Sequence, residues 1–119
     1  MMNYSKVLED FRDLKINKGD VIGIGGTGIF NETETTVMIC NSHVVNLLEH
    51  FISGEIDDIR ALEWVNTVWF SDVFDYCEEG CDCIASVMSR LERIDEDFNL
   101  NPNTAEMLLN ALEENIELN

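Results

Sequence analysis

Apolar positions recur at a spacing near 3.6 along much of the chain, the pattern of helices that bury one face. Over residues 4–14, Val7, Leu8, Phe11 and Leu14 share such a face, and residues 15–19 break it. The period returns from about Thr36 to Ser53, where Val37, Val44, Leu48 and Phe51 align with Val45 and Ile52 beside them. Gly54 follows as a natural stop. The next helix is expected from Asp57 or Asp58 to Phe70, with Ile59, Leu62, Val65, Val68 and Trp69 as its apolar set. Its acidic start suits the helix dipole. A further helix covers 81–94, with Ile84, Val87, Met88, Leu91 and Ile94 inward. After a loop at 95–103, Asn101 followed by Pro102 reads as an N-cap with proline in the first turn. That last helix runs to about Ile116 and should bury Met107, Leu108, Ala111 and Leu112.

The remaining segments lack this period. Residues 20–24 read as a short strand, and Gly23, Gly25, Gly26 and Gly28 as a loop ending at Phe30. In 31–40, Asn31 and Glu34 fit a capping box, whereas β-branched Thr33, Thr35, Thr36 and Val37 favour an extended chain. Residues 71–80 form an acidic and aromatic link closed by Gly80. The expected architecture is mainly α: one domain over 1–119, a compact bundle of about five helices, with a Gly-rich loop or short β segment near residues 20–30.

Composition supports a folded domain. Hydrophobic residues make up 45% of the 119, enough for a core at this length. No stretch reaches the roughly 18 consecutive apolar residues of a membrane span. The first residues lack the basic-then-apolar layout of a secretion signal, so a cytoplasmic location is expected. In that compartment the default for Cys40, Cys77, Cys81 and Cys83 is the reduced thiol.

Charge changes the picture most. The formal net charge is −17, from 24 acids against 7 Lys and Arg. Residues 1–31 are neutral, with four acids and four bases, so the whole excess falls in 32–119. A field of that sign repels nucleic acid and anionic membrane, and it steers basic proteins inward.

Three motifs invite catalytic or metal readings. Residues 23–28 match G-x-G-x-x-G, but the following Glu32 and Glu34 would repel a phosphate, and no alternating strands follow to build a nucleotide-binding sheet. Cys77-x3-Cys81-x-Cys83, with Cys40-x2-His43 upstream, is too irregular for a standard zinc site, and a buried Cys often serves as a small apolar residue. His43 and His50 lie on one helix face without a nucleophile turn beside them. Neither catalytic residues nor a metal or cofactor is therefore expected, and the reading is of a non-enzyme.

The segment 64–79 is the interaction candidate. It interleaves Trp64, Trp69, Phe70, Phe74 and Tyr76 with Glu63, Asp72, Asp75, Glu78 and Glu79. Rings can serve as anchors and carboxylates as steering charges for a basic partner. In the alternative, Trp69, Phe70 and Phe74 are core and the acids merely solvated.

Three stretches carry a resemblance: FISGEI at 51–56, ALEWVNTVW at 61–69 and NPNTAEMLLNAL at 101–112. In layout, residues 44–116 resemble small helical immunity proteins of bacterial colicin and contact-dependent growth inhibition systems. The resemblance implies a toxin-neutralising protein that binds a cognate, basic nuclease toxin domain through an acidic and aromatic face. The partner-binding residues it implies are Asp72, Asp75, Glu78, Glu79 and Asp82, with Trp69, Phe74 and Tyr76 as anchors. Two other readings fit the charge: a nucleic-acid mimic that occupies a DNA-binding protein, and a secretion chaperone that holds an effector segment.

Overall fold

The computed structural model describes residues 5–31, 36–71, 73–94, 96 and 98–116. Asp72 lies outside them, as does the capping box expected at Asn31 and Glu34. The described residues form six α-helices and one two-stranded parallel sheet, so the mainly helical class holds. In chain order these are α1 (Ser5–Arg12), α2 (Lys18–Gly25), a 3-10 turn (Thr27–Asn31), β1 (Val37–Ile39), α3 (Asn41–Ile52), α4 (Asp58–Phe70), β2 (Phe74–Tyr76), α5 (Cys81–Leu91) and α6 (Pro102–Glu114).

Helices α1, α4, α5 and α6 form where the apolar period placed them, and α3 forms over the later part of its expected span. Asp57 caps α4, accepting from the Arg60 N–H at 2.8 Å. Asn101 caps α6, accepting from Thr104 N–H at 3.0 Å, with Pro102 in the first turn. The core gathers Leu8 and Phe11 of α1, Val44, Leu47 and Leu48 of α3, and Trp64, Val65 and Val68 of α4. From α5 and α6 it takes Ile84, Val87, Met88, Leu91, Leu108 and Leu112. Two expected core positions face water instead: Ile59 is 74% exposed and Met107 44% exposed. Each sits one step off the stripe that its own helix buries, through Ala61, Trp64, Val65 and Val68 in α4 and through Ala105, Leu108 and Leu112 in α6.

The region 18–31 departs from expectation. Residues 20–24 are helical, not a strand, and the first two glycines of the presumed loop lie in or beside that helix. Asn17 starts α2 with a full capping box: its side chain accepts from Asp20 N–H at 2.8 Å, and Asp20 accepts from Asn17 N–H at 3.1 Å. This reciprocal cap, with Val21 buried in the core, outweighs the poor helix propensity of Gly19, Gly23 and Gly25. Gly26 ends the helix at φ 75°.

The short β component lies elsewhere. The helix expected from Thr36 starts only at Asn41, because Val37–Ile39 pairs with Phe74–Tyr76 inside what read as an acidic link. Val37 opposes Phe74, Met38 opposes Asp75, and Ile39 opposes Tyr76. Val37, Ile39 and Phe74 are buried, which is the period-2 pattern of a strand rather than a helix. Cross-braces hold α1 against this centre. The Trp64 indole N–H donates to the Arg12 carbonyl at 3.1 Å, and the Arg12 guanidinium donates to the Met38 carbonyl at 3.1 Å. No helix among the described residues is long and apolar enough to cross a membrane.

Candidate interaction surface

The parallel pair determines where the acidic segment faces. Along β2, Phe74 turns inward, Asp75 outward and Tyr76 partly inward. Phe74 is 8% exposed and packs against Phe11, ring centroids 6.2 Å apart, so it is a core residue and supplies no surface anchor. Trp69 and Tyr76 are half-buried, with ring centroids 6.1 Å apart. They form the aromatic floor beside Asp75. Phe70, a ring of the expected interaction segment that was not among the expected partner-binding residues, is 73% exposed, the most solvent-exposed aromatic of the described residues. It closes α4, opposite in direction to the inward Trp64, Val65 and Val68 stripe.

The Tyr76 hydroxyl is buried without a hydrogen-bond partner. Burial, and after it the Asp75 carboxylate, pushes its pKa up to about 12. The phenol is therefore neutral throughout the physiological range. Asp75 itself is tied down locally, its Oδ1 accepting from the Tyr76 N–H at 2.9 Å.

Beyond β2 the chain turns through Cys77, Glu78, Glu79 and Gly80 into α5. Gly80 caps that helix at φ 76°, and a Cβ there would lie 3.0 Å from the Asn115 side-chain oxygen. Glycine is thus required twice over, by conformation and by the close approach of the α6 end. The turn sits over a cleft of about 510 Å³ between the sheet end, the start of α3 and the end of α6. The Asn41 side chain bridges that cleft's base, donating to the Leu112 carbonyl at 2.7 Å. A second hollow of about 260 Å³ adjoins it, sharing Gly80 and Asn115. Glu79 and Glu113 line the first, Glu78 and Asp82 the second, and neither is lined by Lys or Arg. Glu78, Glu79 and Asp82 are exposed. The structure thus brings together Glu78, Glu79 and Asp82 of the expected set, and it adds Glu113 from a helix remote in sequence. Asp75 projects from the adjoining strand.

The cysteines do not behave as four reduced thiols. Cys40 and Cys77 form a disulfide, with Cα atoms 5.1 Å apart. The cause is register: each follows its strand directly, so the pairing that matches Ile39 with Tyr76 carries on to Cys40 and Cys77. The Cys77 N–H donating to the Ile39 carbonyl at 3.0 Å extends the ladder to this point. Cys83 is buried, its sulfur 3.1 Å from the Ile116 carbonyl, which ties α5 to the end of α6. Among the described residues no three His, Cys, Asp or Glu side chains converge as a metal-holding group.

His43 and His50 have separate structural tasks. His43 Nδ1 accepts from the Cys40 N–H at 2.8 Å, which closes the first turn of α3. Burial, then the nearby Arg12 charge, lowers the His43 pKa despite Asp13. Its 4.0 Å approach to Asp13 is therefore not an ion pair at neutral pH. His50 hydrogen-bonds the Asn46 carbonyl at 2.7 Å and lies 3.2 Å from Glu55. The glycine motif also loses its phosphate reading. Gly23, Gly25 and Gly26 lie in and at the C-terminal end of α2, where carbonyl oxygens face outward and repel an anion, and Gly28 falls in the 3-10 turn that follows.

No protein-family model, curated protein or solved structure matches the chain.

Proposed function

We propose that this chain is a toxin-neutralising immunity protein that binds a cognate basic toxin domain, a nuclease, through the face built by Asp75, Glu78, Glu79 and Asp82. The observation that carries the reading is the pair of adjoining clefts lined by carboxylates from α5, α6 and the turn that leads from β2 into α5, without a lining Lys or Arg. Unneutralised carboxylates on a chain of net charge −17 raise the encounter rate with a cationic surface. A nuclease offers such a surface because it must grip phosphate. Trp69 and Tyr76 support the reading as half-buried rings beside Asp75, able to pack against a partner at low entropic cost.

Co-expression tests this function. The tagged chain is produced together with the polypeptide encoded immediately upstream of it, and the complex is purified. A stoichiometric complex that survives high salt, formed by a domain that is toxic when expressed alone, supports the proposal. Elution of many basic proteins at moderate salt, without a stoichiometric partner, overturns it in favour of nucleic-acid mimicry.

A further inference from the structure

We infer that Cys40 and Cys77 form a reversible thiol–disulfide site that takes a dithiol reductant, and that its redox state sets the order of the 77–80 turn and the start of α5. Three observations carry this. The two residues end paired strands in register, so the fold itself holds their Cα atoms 5.1 Å apart, within the span a disulfide needs. Both line the mouth of the 510 Å³ cleft, so the bond is reachable from solvent rather than sealed in the core. And the middle of the turn beyond Cys77 is held weakly: among the described residues the Cys81 N–H reaches the Glu78 carbonyl only at 3.4 Å, and Glu78 and Glu79 are exposed, the chain being fixed again at Gly80, whose carbonyl accepts from the Ile84 N–H at 2.9 Å.

The exchange balances as follows. A thiolate of the dithiol attacks the Cys77 sulfur, the Cys40–Cys77 bond breaks, and Cys40 leaves as thiolate. That charge forms at the N-cap of α3, a twelve-residue helix, where the positive end of the helix dipole favours it. The second thiol of the reductant then attacks its own sulfur in the mixed disulfide and releases Cys77. Two electrons pass to the protein, the two dithiol protons end on Cys40 and Cys77, and the reductant leaves as a cyclic disulfide. A small-molecule disulfide drives the reverse. In a reducing compartment a disulfide of this kind is a transient, sensing bond rather than a permanent brace. With the bond open, the backbone link from the turn to β1 among the described residues is the Cys77 N–H donating to the Ile39 carbonyl. The site operates on the isolated chain, whatever partner the acidic face binds.

The test uses the intact protein in two buffers, one with reduced and one with oxidised dithiothreitol. Thiols are alkylated under denaturing conditions and mapped by mass, and amide hydrogen exchange is followed in parallel. Oxidised protein should protect Cys40 and Cys77 as one linked pair while Cys81 is alkylated; reduced protein should alkylate Cys40 and Cys77. Exchange across 77–82 should quicken at least tenfold on reduction, with α4 little changed. Cys40→Ser should leave the Cys77 thiolate able to attack a small-molecule disulfide, breaking its S–S bond, expelling one thiol and keeping the other half as a stable mixed disulfide. Alkylation of Cys40 and Cys77 in the oxidised sample, linkage of either to Cys81, or equal exchange in both buffers would overturn the inference.

Discussion

Replacing Trp64 by Phe removes one ring of the indole and the only donor that reaches the Arg12 carbonyl from α4. Trp64 is 0% exposed, and its N–H closes a 3.1 Å bond across 52 residues of chain. Losing the bond leaves a carbonyl at the end of α1 without this partner, a cost of about 1–3 kcal/mol. The gap left by the smaller ring adds about 1 kcal/mol, in line with the loss of a few buried carbon atoms. The expected loss is therefore about 2–4 kcal/mol, a large part of the roughly 5–15 kcal/mol that holds a domain together. In thermal unfolding this is a fall of roughly 10 °C for a chain of this size. Trp69→Phe is the internal control, because Trp69 is only half-buried and makes an aromatic contact that Phe retains. Its cost should stay below about 1 kcal/mol. The chain has two tryptophans, so each variant leaves a single fluorescent reporter for urea unfolding. Equal stability of Trp64→Phe and the parent, or a larger loss for Trp69→Phe, would refute the placement of α1 against α4.

Three further outcomes follow from the same packing. Oxidised Cys40→Ser/Cys77→Ser should be less stable than the oxidised parent by about 4 kcal/mol, given a closed loop of 37 residues, as read by urea midpoints. Gly80→Ala should cost about 1–2 kcal/mol, because it forces a left-handed backbone on alanine and crowds Asn115; Gly23→Ala, inside α2 with open space around its Cβ, should be neutral or stabilising in the same melts. Tyr76 should ionise near pH 12 in an ultraviolet absorbance titration. Since the folded pKa lies above the unfolded value of about 10, its contribution to stability is intact below pH 10 and is lost as pH rises from there toward 12.

The helices that carry the core were legible because each buries a stripe long enough to show its period. Asn101-Pro102 and Asp57 mark their starts, and the caps formed as their chemistry requires. The sheet was not legible in that way. Each strand has three residues, too few for alternation to stand out, and the partners are remote in sequence. One signal was present: β-branched Thr35, Thr36 and Val37 favoured extension, and in both strands a cysteine follows the last residue. Two strands ending in cysteine at matched positions is what a parallel, disulfide-linked pair looks like in sequence. Helix α2 was hidden for the opposite reason. Its glycines suggest a loop, and only the reciprocal Asn17–Asp20 cap and the buried Val21 favour the helix. Of the acidic face, the exposed turn was readable from composition alone. The contribution of Glu113 was not, because it depends on α6 returning its last turn to Gly80. Phe74 misled for a local reason: strand alternation directs it inward while its neighbour Asp75 faces water.

The most direct test of the acidic face is the association rate of the parent and of Asp75→Lys/Glu78→Lys/Glu79→Lys with the proposed partner, the purified polypeptide that the co-expression experiment supplies, measured by stopped flow across a salt series. The variant's fold is checked first by circular dichroism, since all three side chains are exposed. Reversing three charges should slow association by roughly 10- to 100-fold at low salt and flatten its salt dependence. An association rate and salt slope equal to the parent's would place the partner on another surface and contradict the account.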